Sequence, residues 1–382
     1  MAKKVAVIGA GPGGLYAAKE AAGLGLNVTL FDKGKIGENI VCAEGFFDLL
    51  KILPPPVAGI CFPVEEIVFS VIDTFLVDCS QLHIWMIDRS KWQKALKAEA
   101  AALGCKIEEQ LSIGPKEFRQ LEKEFDWIID ATGVQCLSSS IYHLPPVRTA
   151  PTIQYTLEGD FTSFIGKIKA VADPRYCGYA WIFPQNAYVA NVGLGWFGKR
   201  EKGLQLRNEL HSFLQREGLA HYDVVKRVGG PIPVARRQKI VFNKTLLIGD
   251  AAGLSSPLHG GGIDTACISG ILAARAIAQQ QPQHYAAAVE KIIGAKLNLE
   301  EKILKVWEYA DFAAFNKLCA LSFGQKETTF LQKMLLSLTQ EAAILQYVQS
   351  GKLRADWQRG LVLDDLPFIA KKIMQKLMKT AP

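Results

Sequence analysis

The sequence lacks the closely spaced cysteines of a zinc, iron–sulfur or thiol-redox site. Its eight cysteines, Cys42, Cys61, Cys79, Cys105, Cys136, Cys177, Cys267 and Cys319, are scattered, with no CxxC pair among them. Scattered thiols fit a reducing compartment and, for most of them, plain packing in a core. Histidine is scarce, six in 382 residues, and none has metal-ligand spacing, so no metal is expected. There is no GxSxG, HExxH or P-loop segment. No window of about 18 apolar residues escapes a charge or a Gly/Pro break, which excludes a membrane-spanning helix. The first apolar run, from Val5 to Gly14, is interrupted by Gly and Pro and leads straight into a domain. It is not read as a signal peptide, and a cytoplasmic location is expected. Nor is there a large excess of one charge. Lys and Arg number 44 against 37 Asp and Glu, for a net charge of +7. That balance suits acidic partners and gives nucleic-acid binding nothing further to rest on. What remains is a chain of 49% hydrophobic residues, long enough for two or three domain-sized units.

The strongest local signal lies at the start. Val5-Ala6-Val7-Ile8 reads as a buried parallel strand. Gly9-Ala10-Gly11-Pro12-Gly13-Gly14 follows, then a helical stretch to about Leu24 and a second strand, Asn27 to Phe31, ending at Asp32. This is strand–GxGxxG–helix–strand–acid. Gly9 permits the tight turn, Gly11 lets the backbone approach a pyrophosphate, and Gly14 lets helix pack on strand. Asp32 is placed to take the ribose hydroxyls of an adenosine. The motif implies a dinucleotide and leaves FAD and NAD both open.

A second cluster follows the strand Lys244 to Ile248. Gly249-Asp250-Ala251-Ala252-Gly253 leads through Pro257 and His259 to Gly260-Gly261-Gly262-Ile263 and a helix to about Ala278. An acid at a strand end, then glycines opening a helix, suits a polyol and an electron-accepting ring. A surface glycine loop with a capping Asp has the same pattern.

Together with Asp130-Ala131-Thr132-Gly133, these segments resemble FAD enzymes of the p-hydroxybenzoate hydroxylase fold. Three more stretches narrow the resemblance to the geranylgeranyl reductase family. Cys42-Ala43-Glu44-Gly45 looks like its Cys-x-x-Gly turn. Pro174 to Pro184, with Tyr179, Trp181 and Phe183, is similar to its PxxYxWxFP signature. Gly229-Gly230-Pro231-Ile232-Pro233 also fits. The resemblance implies bound FAD and reduction of isolated C=C bonds in a polyprenyl chain, carried by a lipid, a quinone or a diphosphate. By position, Gly9, Gly11, Gly13, Gly14 and Asp32 would hold the ADP half of FAD. Cys42, Ala43 and Gly45 would lie against the flavin. Arg89 would reach the phosphate or ribityl region, Asp250 the ribityl and pyrophosphate, and Gly262 and Ile263 the pyrimidine edge.

An unactivated alkene needs positioning, exclusion of water and a proton for its second carbon. Cys42 is the candidate catalytic residue, as proton donor or local organiser; a packing cysteine is the alternative. Tyr179, Trp181 and Phe183 alternate and so share one face of a strand. They are the candidate substrate wall. The sequence does not name the electron donor; an acidic ferredoxin would suit the positive charge, and NAD(P)H is equally open.

The fold class expected is α/β: a Rossmann-like FAD-binding domain, an inserted antiparallel β-sheet for substrate, and a C-terminal helical region. The cofactor domain is placed at about 1–58, 88–146 and 229–290, the substrate sheet at 59–87 and 147–228, and the helices at 291–382. The short stretch from Leu103 to Asp130 leaves little room for the long β-meander usual in this fold. Near the end, Ile369, Ile373 and Leu377 share a helix face flanked by Lys371, Lys372, Lys376 and Lys379. A helix of that kind docks on the body or makes a peripheral contact with the inner face of the cell membrane. The competing functional reading is an FAD-dependent monooxygenase or halogenase on the same fold.

Overall fold

The computed structural model describes residues 2–309 and 311–323. The basic helix expected around 364–379 lies outside the described residues.

Val5 to Ile8 form the fully buried centre of a six-stranded sheet. Its order is Val241–Phe242, Thr245–Leu247, Trp127–Asp130, Lys4–Ile8, Asn27–Phe31 and Lys106–Glu108, parallel except for the hairpin at the first edge. The helices Pro12–Gly23, Arg89–Ala102 and Ile263–Ala278 share one core with this sheet. The opposite side is covered by the helix Pro115–Glu124. Its Phe118 and Leu121 pack against Ala6, Ile8 and Ile128. This one helix occupies the stretch expected to be too short for a meander.

The second sheet has seven strands: Asp223–Pro233, Thr149–Glu158, Val189–Arg200, Tyr176–Pro184, Lys167–Asp173, Glu66–Ser70 and Thr74–Asp78, in that order. It departs from the expected antiparallel sheet at one joint, where Glu66–Ser70 runs parallel to Lys167–Asp173. Those strands are joined through the cofactor unit, so no hairpin sets their direction. The expected boundaries shift too. Gly229–Pro233 continues a strand of this sheet, paired with Thr149–Ile153, and does not open the cofactor unit. Within 59–87 only Glu66–Ser70 and Thr74–Asp78 join the large sheet. Ile60–Pro63 and Ile84–Ile87 form a small three-stranded sheet with Gly45–Phe47, directly after the Cys42 turn.

Two further helices, Ala295–Tyr309 and Phe312–Phe323, close the described chain. No helix among the described residues is long and apolar enough to cross a membrane.

Candidate functional site

The glycine turn is built by close backbone approaches. Gly9 has φ +100°, and a Cβ there would strike the Ala131 carbonyl. A Cβ on Gly14 would strike the Gly9 carbonyl, so the helix starts against the strand that feeds it. Gly11 differs, because a Cβ on it would meet nothing within 4 Å. The open side of the turn is therefore at Gly11. The first bond of the helix runs from the Leu15 N–H to the Gly11 carbonyl, 3.0 Å, leaving the amides before it without intrahelical partners. Asp32 faces this turn from the end of the second strand. One carboxylate oxygen accepts from the Ala10 N–H (2.6 Å) and the other from the Gly34 N–H (2.8 Å). Both oxygens thus hold backbone, beyond the ribose role expected from sequence. Gln93, 4% exposed, donates to the Ala10 carbonyl (3.1 Å) and accepts two bonds from the Arg89 guanidinium (3.0 and 2.6 Å). Nothing in the sequence singled out Gln93. It is a polar residue on the inward face of an otherwise apolar helix side, and that is the only local sign.

The second acid–glycine cluster lies beside the first turn. A Cβ on Gly13 would sit 2.9 Å from the Ala266 carbonyl oxygen, so the two helix starts are packed side by side. Asp250 is half-buried and accepts from the Ser255 hydroxyl at 2.6 Å. Burial pushes its carboxyl up, and the Ser255 bond and the Arg89 charge pull it back. Arg89 therefore acts on the same space as Asp250. Gly262 leaves room at this point, since a Cβ would come within 2.8 Å of Ser255 Oγ and 3.4 Å of Asp250 Oδ1. Ile263 opens the helix and packs on the main core. Asp130, by contrast, is fully buried and turned inward. It accepts from the Thr132 hydroxyl (2.6 Å) and N–H (3.0 Å) and the Ser138 N–H (2.8 Å), which makes it a structural tie.

The Cys42 turn is clamped from three sides. Cys42 is half-buried, and its Sγ accepts from the Glu44 N–H at 3.2 Å. Its carbonyl accepts from the Gln154 amide (2.8 Å), and the Ala43 carbonyl accepts from the Asn191 amide (3.2 Å). Glu44 is buried and in the left-handed region, φ +66°, where a non-glycine residue is strained. Its carboxylate oxygens accept from the Arg89 N–H (3.1 Å) and the Asn191 amide (3.3 Å). Glu44 thereby ties the turn to the cofactor unit and to the large sheet at once. Gln154 and Asn191 escaped the sequence reading, and Glu44 entered it only as an unassigned position of the Cys-x-x-Gly turn. Asn191 is a lone polar residue in the apolar run from Val189 to Phe197, which is a signal, whereas Gln154 stands among threonines in its strand and gives none.

The other thiols behave as packing groups. Burial pushes Cys79 and Cys319 up to about 12 and Cys61, Cys105 and Cys177 up to about 11.

Burial also raises the Glu44 carboxyl, against the opposing bonds from Arg89 and Asn191. A group that holds its proton more tightly when folded contributes most below the ordinary glutamate range and loses that contribution as pH rises through its raised value. Glu44→Gln should remove the loss. Its melting temperature relative to the wild type should climb between about pH 4 and pH 7. Thermal denaturation in steps across that range checks it, and a flat difference would count against a raised carboxyl.

Tyr179, Trp181 and Phe183 share one face, with ring centroids 5.9 and 6.2 Å apart. Room for the rings comes from the neighbouring strand, where Gly195 and Gly193 pair with Tyr179 and Trp181. Trp181 and Phe183 are each only 6% exposed, packed among Val64, Ile84, Met86 and Ile168. Most of the wall is therefore core, and half-buried Tyr179 keeps the most free surface. The wall meets both other parts. A Cβ on Gly45 would come within 3.3 Å of the Phe183 ring, and Ala43 joins the same apolar cluster. The Tyr179 hydroxyl donates to the His259 carbonyl at 2.8 Å.

The donor set fits FAD. Adjacent helix starts offer free amides to a diphosphate, Gly11 leaves that approach open, and Asp250 presents a carboxylate for a polyol. With a mixed sheet laid over them, these parts define an FAD-binding flavoprotein, and FAD is its cofactor.

Comparison with known proteins agrees. Residues 4–67 match a family model described as an FAD binding domain, and residues 152–232 match the geranylgeranyl reductase catalytic domain. A digeranylgeranylglycerophospholipid reductase of Methanosarcina mazei is 31% identical over 308 residues, 71% of this chain and 74% of that protein. Another, of Methanosarcina acetivorans, is 28% identical with 98% of each chain covered. The solved structure of a geranylgeranyl bacteriochlorophyll reductase-like protein from Thermoplasma acidophilum superposes with a TM-score of 0.73 at 21% identity, covering 92% of this chain and 98% of that one. A point mutant of the halogenase PltM in complex with FAD superposes at 0.64 with 14% identity, covering 99% and 96%, a likeness of fold alone. The chain belongs to the geranylgeranyl reductase family.

Proposed function

We propose that the chain reduces isolated C=C bonds of geranylgeranyl chains carried on a glycerophospholipid, with FAD as cofactor and Cys42 as the proton donor. The substrate class follows the names of the relatives. The observation that carries the site assignment is the meeting of three parts, with Gly45 of the Cys42 turn against Phe183 and the Tyr179 hydroxyl on the His259 carbonyl.

FAD, when bound and reduced, supplies the hydride equivalent to one alkene carbon. The chain's own residues do the rest. The amides at Gly13 and Gly14 and the Asp250 carboxylate bind the cofactor. The apolar cluster around Ala43, Phe47 and Tyr179 excludes water and lies along the prenyl chain. Cys42 Sγ gives its proton to the second carbon, so each double bond gains two hydrogens, and the thiolate is then reprotonated from solvent. Gln154, Asn191 and Glu44 fix the turn that carries Cys42. The positive balance of the chain suits an acidic ferredoxin as electron donor, with NAD(P)H the other candidate. A lipid-borne substrate calls for peripheral contact with a membrane surface.

The test is anaerobic. The FAD protein is reduced with dithionite, digeranylgeranyl glycerophospholipid is added, and flavin absorbance and product mass are followed. Reoxidation with two mass units gained per double bond supports the assignment. Reoxidation only on admission of oxygen would overturn it and favour a monooxygenase or a reductase of some other alkene.

A further inference from the structure

A chain of buried charges lies beneath the glycine cluster and has no part in the chemistry above. Lys296 and Glu300, one turn apart on the helix Ala295–Tyr309, have side chains 1% exposed. Lys296 Nζ is 2.9 Å from Asp264 Oδ2 and 3.8 Å from Glu300 Oε1. Asp264, 2% exposed, sits in the first turn of the helix that starts at Ile263. Glu300 Oε1 is in turn 3.5 Å from His259 Nε2, and neither of these atoms makes a hydrogen bond of good geometry. His259 is at the mouth of the glycine cluster with its ring 5.9 Å from that of Phe47.

The charges do not balance. Two buried carboxylates share one ammonium, which leaves one negative charge uncompensated in a low-dielectric interior. Burial opposes the charge on Glu300, but Lys296 and His259 more than reverse this and hold its carboxyl below the ordinary range. Burial likewise opposes the charge on Lys296, and Asp264 and Glu300 hold it protonated. Among the described residues, the other groups beside this chain bring no positive charge to His259. Tyr179 is a neutral donor to its carbonyl, Asp250 faces Gly262, and buried Asp48, with His83 Nδ1 at 3.7 Å, lies beyond Asp264. Among the described residues, Lys296 and His259 are the basic groups against Glu300, and Lys296 already carries its proton.

The other ring nitrogen gives that proton a consequence. His259 Nδ1 accepts from the Gly261 N–H at 3.2 Å. An accepting Nδ1 carries no hydrogen, so the neutral ring bears its hydrogen on Nε2, facing Glu300. A protonated ring has N–H on both sides. Its Nδ1–H would then face the Gly261 N–H, two donors with no acceptor between them, and the bond must open.

We propose that His259 is a positioning residue for the cofactor loop: its neutral ring occupies the Gly261 N–H, and a ring with hydrogen on both nitrogens, its Nε2–H against Glu300, releases that N–H to negative charge on bound FAD. This rests on the placement of FAD against Gly260–Gly262. Reduction, which adds negative charge at the loop, is thereby coupled to uptake of one proton from solvent by His259. The helix Ala295–Tyr309 acts on the cofactor through this contact. The same helix also packs Leu304 and Trp307 against Phe197 and Cys177 below the aromatic strand.

The test is the midpoint potential of bound FAD between about pH 5.5 and pH 8.5, needing no substrate. His259→Phe keeps a ring against Phe47, frees the Gly261 N–H at every pH and has no proton to take up. The wild-type potential should fall more steeply with pH than that of His259→Phe, by about 30 mV per pH unit, one proton per two electrons. Glu300→Gln removes the carboxylate that faces the second ring N–H, and its slope should move to that of His259→Phe. Equal slopes in wild type and His259→Phe overturn the proposal. So does a Glu300→Gln protein that melts lower but keeps the wild-type slope, because it assigns the cluster to stability alone. If Glu300→Gln does not fold, the His259→Phe comparison decides by itself. The placement of FAD is checked separately by its loss from an Asp250 variant, so a wrong cofactor site and a wrong role for His259 give different results.

Discussion

Cys42→Ala retains FAD and loses alkene reduction by a factor of about a hundred or more. A positioned general acid contributes roughly 10²–10⁴ to rate, and the alkene offers no polar atom through which water could be recruited instead. The turn should survive the change. Its carbonyls are held by Gln154 and Asn191, and only the 3.2 Å bond from the Glu44 N–H ends on the sulfur. Single-turnover reoxidation of the reduced protein by lipid substrate separates the two halves of the claim, since flavin content is read from the same spectrum. Full turnover in the alanine variant would leave Cys42 a packing residue like Cys79. Cys42→Ser keeps a hydroxyl at the site and should recover part of the rate, because a serine proton leaves less readily than a thiol proton.

Asp250→Ala should lose FAD. The carboxylate lies at the joint between the two helix starts, beside Gly262, and hydrogen bonds to a charged group are worth about 1.5–3 kcal/mol each. Two such bonds to a polyol amount to roughly a hundredfold or more in affinity. The variant also removes the acceptor of the Ser255 hydroxyl. It should fold, because the half-buried carboxylate is costly in the apoprotein, where burial already pushes its proton affinity up. Fluorescence titration of apoprotein with FAD reads the loss, and unchanged affinity would move the cofactor away from this acid.

Local patterns carried much of this from sequence. The glycine turn has a fixed local spacing between strand and helix, so Gly9, Gly11 and Gly14 were legible, although the Ala131 carbonyl that Gly9 must clear lies far along the chain. Alternation likewise put Tyr179, Trp181 and Phe183 on one face. It could not tell that Trp181 and Phe183 would be 6% exposed, because burial depends on what covers the face, here Ile84, Met86 and Ile168 from elsewhere in the chain. The residues that hold Cys42 were invisible for the same reason. Gln154 and Asn191 come from strands more than a hundred residues away, and no spacing rule links them to the turn. Strand direction was the other gap. Periodicity fixes the face of Glu66–Ser70 but not its neighbour, and the parallel pairing with Lys167–Asp173 depends on the route between them.

The packing of Pro12–Gly23 against Ile263–Ala278 also bears on how the chain comes to fold during synthesis. A Cβ on Gly270 would strike the Gly13 carbonyl, so the two helices touch through bare backbone and small side chains. The first of them leaves the ribosome early and the second only after the whole large sheet has been made. Until then the glycine turn has no partner helix and the strand Trp127–Asp130 has no Thr245–Leu247 beside it. The large sheet, complete by Pro233, can form while the nucleotide half is still open. Such distant pairings slow folding, and they place capture of FAD among the last events of assembly. A chain stalled or cut before Ile263 would hold a finished β-sheet and an exposed apolar helix side, a species for chaperones or proteases rather than a partly active enzyme.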